Sequence, residues 1–348
     1  MLGKNYIPLA LHSLGGVQFG LFCKRDILDE IEYISVADVA CGIGNVFHNK
    51  GAIAAFLQIK ARNGELNDGK EKRQKSVKML FVNSHLAAHV KNVDARNSDY
   101  WRIVSELEAQ APPMFLRPRQ SSSPSDEFES NNDLSGGEYL TNSMDHIFFC
   151  GDLNYRIELP REHTQYLVSR LEEILESDKD LIEKDKITRP LYHELLRHDQ
   201  LSRTLSTGRA FPGFTEGKIS FSPTFKFDKG TSKYDTSHKQ RIPAWTDRIL
   251  FKPFGVRVLE YDAATEAIHS DHRPVFGSFR ASLLGRIQNE KIGNKKSRNS
   301  SKRKSRRNLS NSLENSTYKD TEETTREENN IVQKKRRKRK TRSSLKQS

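Results

Sequence analysis

The chain has 348 residues, enough for one large domain or two ordinary ones, and 58 Lys and Arg against 45 Asp and Glu give a formal charge of +13. That average conceals a split: residues 281–348 hold 21 basic and 7 acidic side chains, a net of +14, which leaves residues 1–280 at −1. Three cysteines (Cys23, Cys41, Cys150) without metal-ligand spacing exclude a disulfide framework and fit a reducing compartment, and no run of 18 apolar residues is present to span a bilayer.

The opening MLGKNYIPLALHSLGGVQFG is moderately apolar, but Lys4, Asn5, His12 and Gln18 interrupt it, so neither a signal peptide nor a membrane span is expected there. Five β-rich runs follow, each bounded by Gly, Asn, Asp or Lys: GVQFGLFCKR, GAIAAFLQIK, VKMLFVNSHL, DHIFFCGDLN and DRILFKPF. Helical spacing appears in ARNSDYWRIVSELEAQ and again between about 160 and 205, where Leu167, Leu171 and Ile174 would share one face. Two segments have no foldable pattern: the charged loop 61–76 and the Ser/Asn/Asp-rich stretch 117–143, read as a disordered insertion. The apolar pattern ends near residue 283, and residues 284–348 read as a disordered polybasic tail ending in KKRRKRKTR. The order of elements predicts an α/β domain with mixed sheets.

Candidate chemistry gathers where strands end. In FFCGDLNYR, residues 148–156, Gly151 permits a sharp turn before Asp152. On an extended chain Asp152, Asn154 and Arg156 would point one way. VNSHLAAH places His85 after a strand, PAWTDRILF places Asp247 before one, and HSDHRPVFGSF places Asp271 and His272 at the mouth of the last. Any one of these is ordinary as a turn or capping residue. As a set of Asp, Asn and His at successive strand ends they suit phosphate-ester hydrolysis: a carboxylate takes a proton from water, and imidazole and amide groups hold the phosphate oxygens. There is no G-x-S-x-G nucleophile, and the lack of C-x-x-C or H-E-x-x-H argues against zinc. The Asp and Asn bias fits a hard ion such as Mg²⁺.

GNVFHNKGAIA, NSHLAAH, GDLNYRI, GFTEGKISFSPTFKFD, RIPAWTDRIL and SDHRPV occur in that order. Together they resemble the inositol polyphosphate 5-phosphatase family, within the endonuclease/exonuclease/phosphatase superfamily, over about residues 15–280. The resemblance implies a DNase I-like sandwich of two packed mixed β-sheets flanked by helices, with the N-terminal strands missing, and a catalytic domain over residues 1–283. It implies Asp152 as general base, with Asn154 on the scissile phosphate or its water. His272 would bind that phosphate, held in its tautomer by Asp247, and His85 would contact it from the other side. Asp271 would support the nucleophile or bind the metal, and Lys226, Lys239 and Arg241 would select a neighbouring phosphate. Arg241 is preferred among these, because a guanidinium grips phosphate through two parallel bonds.

The departures are Phe225 where the family often has Tyr, His48 in a turn that usually carries Gly, and Thr246 for a common Cys. Family members also carry, before the region matching Met1, strands with an Asn and a Glu that hold Mg²⁺. Nothing in residues 1–40 replaces them, so weak hydrolysis by this chain alone is expected.

The leading expectation is removal of the 5-phosphate from a phosphoinositide lipid or a soluble inositol phosphate. A catalytically impaired inositide-binding scaffold and a related nuclease are the alternatives. The near-neutral domain disfavours a nucleic-acid partner, which would want a basic groove. For the tail, seven consecutive Lys/Arg from Lys334 to Lys340 fit attraction to an anionic membrane and a cytoplasmic, peripherally membrane-associated protein. The same run reads as a nuclear-import or RNA-binding patch.

Overall fold

The computed structural model describes residues 3–42, 49–61, 76–116 and 137–283. His48, residues 117–136 of the expected insertion and the basic tail from 284 lie outside the described residues. In chain order the elements are β1 (Tyr6–Leu14), β2 (Val17–Lys24), β3 (Ile31–Ala40), β4 (Gly51–Lys60), β5 (Ser76–His85), α1 (Val93–Gln110), α2 (Glu138–Ser143), β6 (His146–Asp152), α3 (Arg161–Glu176), α4 (Leu181–Arg197), α5 (Gln200–Thr207), β7 (Thr215–Glu216), β8 (Asp247–Phe251), β9 (Val256–Ala263) and β10 (Val275–Ala281).

Six strands form one mixed sheet in the order β3-β4-β5-β6-β8-β7, parallel only between β5 and β6. β4 explains why its sequence is a continuous apolar run rather than an alternating one: its first seven residues are all buried, because both faces of the sheet are covered. On one face Ala52, Ala54, Phe56, Leu80, Val82 and Phe149 pack against Tyr100, Ile103 and Leu107 of α1. α2 joins this layer through buried Leu140, so the stretch 138–143, expected to be part of a disordered insertion, is helical. One large apolar side chain with a pocket to fill outweighs the polar composition around it.

The opposite layer of the expected sandwich is made of two antiparallel hairpins. β1–β2 lies over β3, β4 and β5, and β9–β10 lies over β8. Between them a cavity of about 450 Å³ is lined by Phe19, Leu21, Phe81, Phe148 and Val275. A third layer, α3 and α4, packs Leu167, Leu171 and Leu195 on Trp245 and Tyr261.

Candidate active site

The sheet register builds the site. His85 pairs with Asp152 across β5–β6, and Asp152 pairs with Asp247 across β6–β8, so three expected site residues stand in one row of adjacent strands. Gly51 pairs with His85 on the next strand, which brings Lys50 to the same end. Gly151 is obligatory at this point: its φ is +123°, and a Cβ there would lie 2.0 Å from the Ser84 carbonyl oxygen. Any other residue would push β6 off β5 just before Asp152.

Beyond Asp152 the chain does not stay extended. Asn154 has φ +57°, and β6 ends. The expected shared face of Asp152, Asn154 and Arg156 is therefore made by a turn and not by alternation. Asn154 is 2% exposed; its Nδ2 donates to Asp152 Oδ2 at 3.0 Å and to the Leu86 carbonyl at 3.1 Å, and its Oδ1 accepts from Arg156 Nη2. Its backbone N–H also donates to Asp152 Oδ1 at 3.1 Å. With both amide hydrogens donated to protein, Asn154 orients the Asp152 carboxylate.

His85 Nε2 lies 3.3 Å from Asp152 Oδ2 and also meets Lys50 Nζ. Burial pushes the Asp152 carboxyl up, but the His85 contact and the charges of His272 and Arg156 together hold it below the usual carboxylate range. Burial lowers His272, yet the hydrogen bond between its Nδ1 and Asp247 Oδ2, at 2.7 Å, with the charges of Asp247, Asp152 and Asp271, raises it above an ordinary histidine. The result is an ionised carboxylate facing a cation-prone imidazole whose Nδ1 is fixed by Asp247. Thr246, in place of the common Cys, donates to Asp247 Oδ2 at 2.9 Å and so supports the same pair. The Phe225 ring packs between Arg156, 4.2 Å from its centroid, and His272, at 4.8 Å between centroids.

Of the expected neighbouring-phosphate residues, Lys226 donates to Asp271 Oδ2 at 2.8 Å. Arg241 lies near Arg156, whose guanidinium is lowered to about 10, first by burial and then by the charges of Arg96 and Arg241 against those of Asp152 and Asp247. Lys239 is exposed, and its backbone N–H donates to Ser237 Oγ at 3.3 Å. Asp271, the expected metal ligand, has one oxygen in the Lys226 pair, and among the described residues no three His, Cys, Asp or Glu side chains gather as a metal cradle. These residues do not fit a bound divalent ion by themselves.

A family model described as Endonuclease/Exonuclease/phosphatase family 2 matches residues 2–278. The chain belongs to this family. Within it, the chain is 31% identical over 292 residues to the polyphosphatidylinositol phosphatase INP53 of Saccharomyces cerevisiae, covering 84% of this chain and 21% of that protein. It is also 31% identical over 288 residues to the mouse type II inositol 1,4,5-trisphosphate 5-phosphatase, covering 83% and 24%. The chain thus spans less than a quarter of the length of these two curated relatives. Among solved structures it resembles the inositol polyphosphate 5-phosphatase domain of SPsynaptojanin in complex with inositol (1,4)-bisphosphate and calcium ion, with a TM-score of 0.56, 30% identity, and coverage of 80% of this chain and 64% of that one.

For this member of the endonuclease/exonuclease/phosphatase family, sequence reasoning missed Lys50 as part of the cluster. Its ammonium is lowered first by burial and by Arg156, against the opposing charge of Asp152. A lysine after a loop and before an apolar strand reads as an ordinary boundary, and only the Gly51–His85 pairing brings it to the site. Arg156, the last residue of GDLNYR, donates to Asn154 Oδ1 and so supports the residue that orients Asp152.

Proposed function

We propose that this domain is a phosphomonoester hydrolase that removes the 5-phosphate of phosphoinositides or soluble inositol polyphosphates. The observation that carries the reading is the strand-end row of His85, Asp152 and Asp247, with His272 locked on Asp247 and Lys226 and Arg241 nearby. Asp152, ionised and oriented by Asn154, accepts a proton as water attacks phosphorus. His272, cationic against Asp247, holds a phosphate oxygen as charge builds there. The P–O bond to the ring breaks, and the ring oxygen leaves as a hydroxyl by taking a proton from solvent, to which Asp152 in turn releases the one it accepted. Lys226 and Arg241 suit a second phosphate on the same ring, and the similarity to inositol phosphate 5-phosphatases supports that substrate class.

A Mg²⁺ requirement is proposed only from the calcium ion of the SPsynaptojanin complex; no set among the described residues fits the ion by itself, and these steps rest on protein groups alone. The polybasic tail is proposed to draw a cytoplasmic protein to anionic membranes, where a lipid substrate would lie. Single-turnover phosphate release tests the reading, with inositol phosphates differing only in whether a 5-phosphate is present and with added Mg²⁺. Release confined to 5-phosphorylated compounds supports it; equal release from other positional isomers, or plasmid nicking without phosphate release, overturns it. Vesicle binding of the full chain against a deletion of residues 286–348, at low salt, tests the tail.

A further inference from the structure

The loop 235–241 carries Lys239 and Arg241 between two isolated bridges and has no ladder of its own. Its shape is held by two residues, Asp235 and Arg161. Asp235, 1% exposed, accepts the Ser237 N–H at 3.1 Å on one carboxylate oxygen and the Arg241 N–H at 2.7 Å on the other. Its own N–H donates to the Lys226 carbonyl at 2.8 Å, so one residue is bonded to the backbones of both Lys226 and Arg241. Arg161 closes the loop from outside: Nη2 donates to the Asp235 carbonyl at 2.6 Å and Nη1 to the Arg241 carbonyl at 3.2 Å. The Arg241 peptide groups are thus held on both sides, N–H by Asp235 and C=O by Arg161.

Two features show that this arrangement works against local preference. Gln240 has φ +41°, a left-handed conformation that disfavours a side-chain-bearing residue, immediately before Arg241. Arg161 is the first residue of α3, where the helix dipole disfavours a cation. The two carbonyl bonds offset both costs, because a planar guanidinium can bridge two acceptors at fixed spacing.

We infer that Arg161 and Asp235 are positioning residues that fix Arg241 toward a phosphate adjacent to the scissile one, and thereby set the preference for vicinal bisphosphates. The inference rests on the functional reading above and adds the device that creates the specificity. Neither residue needs to touch the ligand. Arg161 acts through the fork geometry of its guanidinium, so charge alone does not replace it.

Calorimetric titration of the full chain with two probes tests this: an inositol phosphate bearing adjacent 4- and 5-phosphates, and one bearing the 5-phosphate without the 4-phosphate. Arg161→Gln is expected to weaken the first about tenfold and the second less than twofold, the loss of one well-placed charge-assisted contact. Arg161→Lys should lose as much as Arg161→Gln, and Asp235→Asn should lose in the same selective sense. Thermal unfolding of each variant shows whether the fold is kept. Unchanged discrimination in Arg161→Gln, equal loss for both probes, or full rescue by Lys would overturn the inference while leaving the functional reading intact. Failure of the unsubstituted chain to bind either probe would overturn both.

Discussion

Replacing Arg248 by Met should destabilise the domain far more than an average substitution, because the residue is a wholly buried cation with two acidic partners. Its Nη1 donates to both Asp199 oxygens at 3.1 and 3.2 Å, and its Nε and Nη2 donate to Glu216 at 2.7 and 2.6 Å. The Arg248 and Asp199 side chains are 0% exposed and Glu216 is 10% exposed, so water cannot replace the lost bonds. Breaking such a network from one side leaves uncompensated buried charge and costs about 3–5 kcal/mol. Asp199 also caps α5 through the Ser202 N–H at 2.9 Å, and Glu216 accepts the Tyr261 hydroxyl at 2.6 Å, so the carboxylates keep some partners and the lower half of that range is expected. Arg248 follows Asp247 on β8, which couples the loss to the site. Urea unfolding of Arg248→Met, Glu216→Gln and the double variant provides the measurement. The double variant should be less destabilised than the sum of the singles by at least about 1 kcal/mol, since the second change removes a charge the first has orphaned. Strict additivity, or a single-variant loss under about 1 kcal/mol, would refute the reasoning.

Asp152→Asn should leave inositide binding largely intact and lower single-turnover phosphate release by about 10²–10⁴-fold, the usual contribution of a general base; equal release by variant and wild type would remove Asp152 from the role. His272 is raised above its ordinary pKa by Asp247, so its cationic form is complete below the unfolded value and is lost as pH rises through the folded one. Asp247→Asn should therefore move the loss of phosphate affinity to lower pH, visible in imidazole NMR titrations, and an unmoved titration would contradict the pairing. Asp152 is held low, so release should fall away only at acid pH, as the carboxylate is protonated through its depressed pKa. Gly151→Ala should cost more than about 2 kcal/mol by urea unfolding, because strain at positive φ adds to backbone overlap with Ser84.

The sequence by itself determined the elements whose physics is local. GAIAAFLQIK reads as a β-rich run and is a strand, and the three-to-four spacing of Leu167, Leu171 and Ile174 serves an amphipathic helix, as expected. The motif residues were legible because a hydrolytic site needs chemically unusual residues at strand ends, and Asp152, Asp247 and His272 do come together as their types suggested. Tertiary structure decided what depends on register and on chains far apart in sequence. Lys50 enters the cluster only because Gly51 pairs with His85. Asn154 reaches Asp152 through a turn at positive φ, where strand alternation was expected to place it. Asp271 became the partner of Lys226, a residue 45 positions away, although a carboxylate at a strand mouth reads equally well as a metal ligand. Pairings of this kind are set by the free energy of the whole packed domain and leave no periodic trace along the chain, whereas burial and helical spacing repeat within a few residues and can be read directly.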